Sequence, residues 1–380
     1  MRRSWLDRET TGNLNAAAAA AAYPESVRFR LAGLTVPEMV LSGRRAASLM
    51  LSSPMAAAEW QRKYGTRLAQ RLVAAITGME NELAVEGLAV PAIAPVWPRL
   101  LLSCGAGTSR FWTSSMNPGL EGFTWMAKQC GLWHQNINCT SESDFLLFPE
   151  VVNKSSKLAV VSFPSYPSGT TMTRDAWWEL CAAFEETGAR LVNYNASASP
   201  QPAGSSFHEA ASEFAHLSWL EIYDPCAMIG GSEGWSLVAI IGSDDFVADF
   251  KLAGRTDPLY LPMAAGVLAA FEEGAVETAT VITERQAVLS DLCQVLSSAG
   301  LKLSVKPGAG YHALWLAPKT LDGEEVGNDA RVFNEVMLNR YSVRGFAFGK
   351  TIAYSPLDMR GGDEWLTQLS EILAGSEIGY

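Results

Sequence analysis

The stretch LEIYDPCAMIGGSEGWSLVAIIGSDDF at 220–246 organises the rest of the chain. An apolar strand pattern ends at Tyr223, the chain turns at Asp224-Pro225, passes through the glycine-bearing run Gly230-Gly231-Ser232-Glu233-Gly234, and re-enters an apolar strand at 237–242 (LVAIIG). Strand C-terminal ends face the ligand crevice of open α/β sheets, so Asp224 stands where an acid does proton-transfer work, with Cys226 two residues on. Asp-Pro equally suits a turn capped by its own carboxylate. The G-x-S-x-G pattern in this stretch marks a nucleophile elbow only between a strand and a helix. A strand comes next here, so the run reads as a glycine loop.

With 380 residues the chain suits two packed units rather than one small core. Hydrophobic residues are 48% and charged residues 18%, which is ordinary for a folded enzyme-sized protein. A formal net charge of −11 with no Lys/Arg-rich run argues against a nucleic-acid partner. The six cysteines form no C-x-x-C pair and read as reduced thiols. No run approaches the ~20 apolar residues of a membrane span. Met1-Arg2-Arg3 is followed at once by Asp7, Arg8 and Glu9, and the alanine run 16–22 is too mild for a signal peptide, so the cytoplasm is expected.

Residues 1–25 read as an irregular arm. The spacing of Trp60, Tyr64, Leu68, Leu72 and Ala75 predicts a helix over 54–76, then a turn at Thr77-Gly78 and a second helix through Ala84, Leu88 and Val90. Leu100-Leu101-Leu102 reads as a short buried strand. Gly105-Ala106-Gly107 after it lacks the third glycine of a dinucleotide loop, because Arg110 stands there. Arg110 beside Phe111 and Trp112 suits an anionic or planar ligand, or an interface. Residues 158–161 and 191–192 read as strands, and Thr173 as the N-cap of a helix ending at Gly188. Later, 245–254 and 259–273 read as helices, and 301–305 and 312–316 as strands. Alternating strands and helices imply a mostly parallel sheet with helices on both faces. No histidine pair has H-x-x-x-H spacing; His208 falls in a loop after the Asn193 strand, and His312 reads as a half-buried core residue.

The order of these landmarks resembles the fold-type I pyridoxal-phosphate (PLP) enzymes, specifically the class I/II aminotransferases. The resemblance rests on Thr77-Gly78 as a phosphate-cup turn, FPSYPSG at 163–169, the strand Ala189 to Ala196, the 220–246 stretch, Arg285, Lys306-Pro307-Gly308-Ala309-Gly310-Tyr311 and Arg344-Gly345-Phe346-Ala347-Phe348-Gly349. It implies an α/β fold with a mostly parallel central sheet plus a smaller α+β domain. The expected boundaries are 40–258 for the large domain, with 1–39 and 259–380 forming the arm and small domain. It also implies a pocket at the domain seam and a dimer interface.

Carried over position by position, the resemblance shows losses. The Schiff-base lysine falls on Met228, a thioether that forms no imine. No lysine lies between Lys157 and Lys251, so a register shift does not restore it. The phosphate-binding arginine falls on Ser236, the pyridinium-pairing aspartate on Asn193, the ring-hydroxyl asparagine on Tyr166, and the stacking aromatic near Leu120. No arginine lies within 352–354 to grip a substrate carboxylate. Glu80 falls in the expected cup, where a carboxylate would repel a phosphate. The sequence therefore predicts an aminotransferase-like protein that holds no PLP, a divergent member lacking the lysine. The expected activity is a repurposed enzyme for a small amino-acid-like or natural-product ligand. Asp224, Tyr166, Cys226 and His208 are the candidates for proton transfer, and Arg110, Trp112, Asn193, Glu80, Met228 and Ser236 for lining the ligand site. Two alternatives stand beside it: a non-catalytic subunit paired with an active paralogue, or an ordinary PLP aminotransferase or lyase whose site lies elsewhere. Either a homodimer or a heterodimer with a paralogue is the expected assembly, with no metal.

Overall fold

The computed structural model describes residues 29–31, 40–79, 83–140, 143, 145–196, 206–225, 237–254, 259–356 and 364–380. Glu80, Cys226, Met228 and Ser236 lie outside the described residues. The first described element is a two-residue strand, β1 (Phe29–Arg30). The chain divides into a larger unit, 36–166 with 171–282, and a smaller one, 1–35 with 167–170 and 283–380.

The larger unit begins with α1 (Leu41–Ser52), α2 (Pro54–Tyr64) and α3 (Leu68–Thr77). The single helix expected over 54–76 is thus broken at Gly65–Arg67. Gly78, with φ of 73°, is the left-handed C-cap of α3. Thr77-Gly78 therefore closes a helix and does not open one, which corrects its reading as an anion cup. The next element is a strand, β2 (Glu86–Val90), where a helix was expected. The reason lies at Gly87. A Cβ there would stand 2.8 Å from the Ile240 carbonyl oxygen, so only glycine lets this segment lie flush against its sheet neighbour.

The segment expected as a Leu-Leu-Leu strand is instead α4 (Val96–Ser103). Short apolar runs do not distinguish strand from buried helix, and prolines in the first turn favour a helix start. The unit continues through β3 (Trp112–Asn117), α5 (Glu121–Gln129), β4 (Trp133–Asn138), β5 (Ser156–Val161), α6 (Arg174–Thr187), β6 (Arg190–Asn195), α7 (Phe207–Ala211), β7 (Trp219–Tyr223), β8 (Val238–Gly242), α8 (Asp244–Leu252), α9 (Leu261–Glu272) and the start of α10 (Ala275–Ser298). Thr173 caps α6 as the sequence predicts, its side chain accepting from the Ala176 N–H at 3.2 Å.

These strands form one sheet in the order β2-β8-β7-β6-β5-β3-β4. β8 pairs antiparallel on both sides, and every other pair among β3 to β7 is parallel. β7 and β8 are buried at every position, as expected for strands covered by helices on both faces. Basic side chains tie helix ends to the sheet's N-terminal edge. Lys157 donates to the Cys104 carbonyl (2.6 Å) and Arg190 to the Ser103 carbonyl (3.1 Å), both at the end of α4, where the helix dipole favours a cation. Arg99, on α4, donates to the Phe250 and Lys251 carbonyls near the end of α8 and so joins the two helices.

The smaller unit packs the rest of α10, α11 (Ala330–Tyr341) and α12 (Glu364–Leu373) around a core that includes Leu292, Leu296, Trp315, Phe333, Tyr354 and Leu369. Its largest sheet is antiparallel and is built from β9 (Leu303–Val305), β10 (Ala313–Leu316), β11 (Phe346–Phe348) and β12 (Thr351–Tyr354), in the spatial order β11-β12-β10-β9. Within this unit Gly169 meets the Lys306–Gly310 segment. Its carbonyl accepts from the Gly308 and Ala309 N–H groups at 2.8 and 2.9 Å. At φ 72°, a Cβ on Gly169 would lie 2.7 Å from the Ala309 carbonyl oxygen.

Candidate functional site

The C-terminal ends of the parallel strands, Asn117, Asn138, Val161, Asn195 and Tyr223, share one edge of the larger sheet, joined by the end of β2 at Val90. This is the edge at which open α/β sheets bind ligands. Two tight turns leave it through cis prolines, Asn117–Pro118 after β3 and Phe163–Pro164 after β5. They touch: a Cβ on Gly119 would run into the Tyr166 carbonyl oxygen and lie 3.7 Å from the Tyr166 ring. Burial pushes the Tyr166 phenol well above its usual range, and the nearby Glu121 charge pushes the same way.

Asp224 directly follows β7, and its N–H donates to the Asn195 carbonyl (3.2 Å). The Tyr194 hydroxyl donates to Asp224 Oδ2 at 3.4 Å. The Tyr194 ring meets Trp97 edge to face, with centroids 5.3 Å apart, and Trp97 in turn meets Phe123 at 5.8 Å. Burial and then the Asp224 charge raise the Tyr194 phenol far above its ordinary value. Tyr166 sits on the turn after β5, and Asp224 follows β7, two strands along the sheet. The side chain brought to Asp224 is therefore Tyr194, which the sequence pattern does not single out.

Asn193 lies on the opposite face. Its Oδ1 accepts from the Phe163 N–H (2.9 Å), and its Nδ2 donates to the Phe163 carbonyl (3.1 Å) and to Glu221 Oε1 (2.9 Å). It is fully buried. Glu221, on β7 and also fully buried, takes at Oε2 the His208 N–H (3.2 Å), His208 Nδ1 (3.1 Å) and the Tyr223 hydroxyl (2.9 Å). His208 is thus a 4% exposed residue of α7 and not the loop residue expected. The Asn193 amide and the His208 imidazole are committed to a network inside the fold. A carboxylate in the apolar run Trp219-Leu220-Glu221-Ile222-Tyr223 was the signal available in the sequence for this network.

Arg110 and Trp112 lie at the other end. Trp112 begins β3 and packs on Trp133, the first residue of β4, at 5.8 Å. Five residues of strand, roughly 17 Å, separate that end from Asn117. The structure does not bring Arg110 or Trp112 to Asp224. Gly105–Gly107 follows a helix, so it has no strand before it as a dinucleotide loop requires.

The helix that follows β2 from the strand-end edge is α4. Pro95 is its N-cap and Pro98 sits in its first turn, while the Val96 N–H is bonded to the Ile93 carbonyl at 2.9 Å. Prolines carry no N–H, so this terminus offers few donors to an anion. Among the described residues no group of three His, Cys, Asp or Glu is arranged to hold a metal, and no helix is long and apolar enough to cross a membrane. The described cysteines, Cys104, Cys130, Cys139, Cys181 and Cys293, are free thiols.

Two histidines carry a pH consequence. His134 on β4 is bonded at Nδ1 to Thr113 Oγ1 (2.9 Å) and at Nε2 to Ser115 Oγ (3.2 Å) and Asn136 Oδ1 (3.1 Å). Burial pushes His134 and His312 from 6.5 down to about 4. Between those values the unfolded chain binds the protons and the folded one does not. Their stabilisation is therefore complete above about 6.5 and is lost as pH falls toward 4, at most about 3 kcal/mol for each by linkage. Urea unfolding at neutral pH and near pH 5 is expected to show this loss, with His134→Gln reducing the slope. Equal slopes for variant and wild type would refute the assignment.

No family model matches the sequence, and no curated protein matches it. Solved structures do. An aspartate aminotransferase from Thermus thermophilus with maleate superposes with a TM-score of 0.74 at 16% identity over 98% of this chain and 97% of that one. A substrate-bound BacF structure from Bacillus subtilis gives 0.76 at 14% identity over 95% and 93%. An N-succinyldiaminopimelate aminotransferase from Mycobacterium tuberculosis gives 0.74 at 13% identity over 98% and 99%. The chain has the fold-type I aminotransferase fold, as the sequence landmarks imply.

Proposed function

We propose that this protein is a repurposed aminotransferase-fold enzyme that holds no PLP through a lysine and acts on a small amino-acid-like or natural-product ligand at the strand-end edge of its larger sheet. The observation that carries the reading is the position of its lysines. The two that bracket the β5-to-α8 segment are Lys157 and Lys251. Lys157 is the second residue of β5 and bonds the Cys104 carbonyl; Lys251 bonds Glu86, the first residue of β2, at 2.8 Å. Both amines lie at the edge of the sheet opposite Asp224.

The rest of the donor set supports the same reading. A PLP phosphate needs free N–H groups or a cation, and α4 has prolines at its N-cap and third position, Pro95 and Pro98. A protonated ring nitrogen needs a carboxylate, and the Asn193 amide is engaged with Phe163 and Glu221. These described groups are poorly matched to a PLP phosphate and ring nitrogen. Asp224 is the proposed proton-transfer group, with Tyr194 as its hydrogen-bond donor and Tyr166 on the neighbouring turn. Exposed apolar side chains on α1 and α2, among them Leu49, Leu51 and Met55, supply a face for the proposed dimer.

Absorbance tests the proposal. The purified protein with added PLP is expected to lack a borohydride-bleached band near ~400–430 nm, the behaviour of a lysine imine. A stoichiometric band, with the cofactor fixed to the chain after reduction, would overturn it.

A further inference from the structure

We infer that the smaller unit carries a ligand site of its own, for an amphipathic monocarboxylate: the acid head on Lys306, and a short alkyl chain between α10 and the segment Lys306–Gly310. This site is separate from the strand-end edge, and the inference does not rest on the proposed function.

A cavity is the starting point. A hollow of about 480 Å³ lies between α10 and the chain that leaves β9, within the roughly 300–1,000 Å³ of small-molecule sites. Gln286, Leu289, Ser290 and Cys293 form its helical wall. Spaced three and four residues apart, they share one face of α10. The facing wall is Leu303, Lys306 and Pro307, continued by Gly308-Ala309-Gly310. Two of those last three residues have no side chain to fill the space. Gly310, with φ of 76°, also holds a backbone conformation that side-chain-bearing residues seldom adopt. The wall is fixed in place, because the Gly308 and Ala309 N–H groups both donate to the Gly169 carbonyl, at 2.8 and 2.9 Å. A preformed wall spares a ligand the cost of ordering it.

Polarity selects the ligand. Leu289, Leu303 and Pro307 make the interior apolar. Cys293 is half-buried, and burial pushes its thiol up to about 11, so it stands there as a neutral, soft apolar group. Lys306 is exposed and carries the one charge in the lining among the described residues; no carboxylate lines the cavity there. No hydrogen bond or ion pair joins Lys306 to another described residue. Other basic side chains of this unit are engaged: Arg331 with Asp329, Arg340 with Asp322 and Glu324, and Lys302 over the Tyr380 ring. An apolar hollow with one uncompensated ammonium at its rim matches an alkyl chain that ends in a carboxylate. Burial of the chain supplies affinity, and the ammonium selects the head group. Gln286 and Ser290, both exposed, add an amide and a hydroxyl at the same rim.

Titration calorimetry of the full chain tests this with octanoate, octanol and octylamine. Octanoate is expected to bind saturably, and the other two roughly 5-fold more weakly or worse, the scale of one part-exposed ion pair. Lys306→Gln is expected to lower octanoate affinity by a similar factor and to leave octanol unchanged, while Lys306→Arg retains octanoate binding. Ser290→Phe, at an exposed helical position, is expected to fill the hollow and abolish binding. Circular dichroism identifies a variant that fails to fold, in which case Gln286→Trp replaces it with the same expected loss. Octanoate is also expected to slow alkylation of Cys293 by N-ethylmaleimide, read by peptide mass spectrometry, and to leave the exposed Cys130 unaffected. No binding of octanoate, equal affinity for octanol or octylamine, unchanged octanoate affinity in Lys306→Gln, or no protection of Cys293 overturns the inference. Each of these outcomes leaves the proposed function standing, since absorbance with added PLP tests that reading separately.

Discussion

Glu221→Ala is expected to destabilise the larger unit by about 3–5 kcal/mol, the scale for removing one partner of a buried, hydrogen-bonded charged network. The side chain is fully buried and collects four donors: Asn193 Nδ2, the His208 N–H, His208 Nδ1 and the Tyr223 hydroxyl. Alanine leaves all four in a dry space. Domains of this kind are stable by only about 5–15 kcal/mol, so most of the margin is removed. The damage is expected to reach the candidate site, because Asn193 also grips both backbone groups of Phe163, at the turn that carries Tyr166. Glu221→Gln keeps shape and one acceptor but turns an N–H₂ toward donors, and an intermediate loss of about 1–3 kcal/mol is expected. Urea unfolding followed by tryptophan fluorescence reads both variants. An alanine variant as stable as wild type would show that the network is slack.

This network also marks where sequence reading stops. The apolar runs at 158–161 and 237–242, the Thr173 cap and the Gly188 stop were all legible, because strand burial and helix capping are local. Two segments reversed. The sequence around Leu88 reads as helix until Gly87 is seen to lie against the Ile240 carbonyl, a contact from 153 positions away in the chain. Leu100–Leu102 reads as strand until the prolines at 95 and 98 are taken as a helix start.

The candidate site divides along the same line. Asp224 was legible because a strand end followed by Asp-Pro is a local pattern. Tyr194 was not, because its neighbour Asn193 occupies the position to which the family resemblance points. Neighbours in a strand point to opposite faces, so choosing one residue over the next chooses a different side of the sheet. Asn193 faces the Glu221 network, and Tyr194 meets Trp97. Trp97 itself was hidden because the segment after it reads as a strand, and the helix α4 that carries Trp97 was not seen.

Gly119→Ala is expected to be the most disruptive single-methyl substitution at the site. Gly119 has φ of 115°, beyond the region L side chains ordinarily adopt, and its Cβ would collide with the Tyr166 carbonyl oxygen. That obstacle is backbone in a turn that Asn193 holds from the other side, so it has no side-chain rotation to give. Strain of this type is worth on the order of 1–3 kcal/mol, and the overlap adds to it unless the Tyr166 turn moves. Gly107→Ala separates the two effects. Gly107 has φ of 89°, but a Cβ there meets nothing within 4 Å. It is expected to show only the backbone penalty, about 1–2 kcal/mol. The comparison by urea unfolding therefore isolates the contact between the two cis-proline turns. Equal stability of the two variants would show that the Tyr166 turn yields freely and that its phenol is not held in place by this contact.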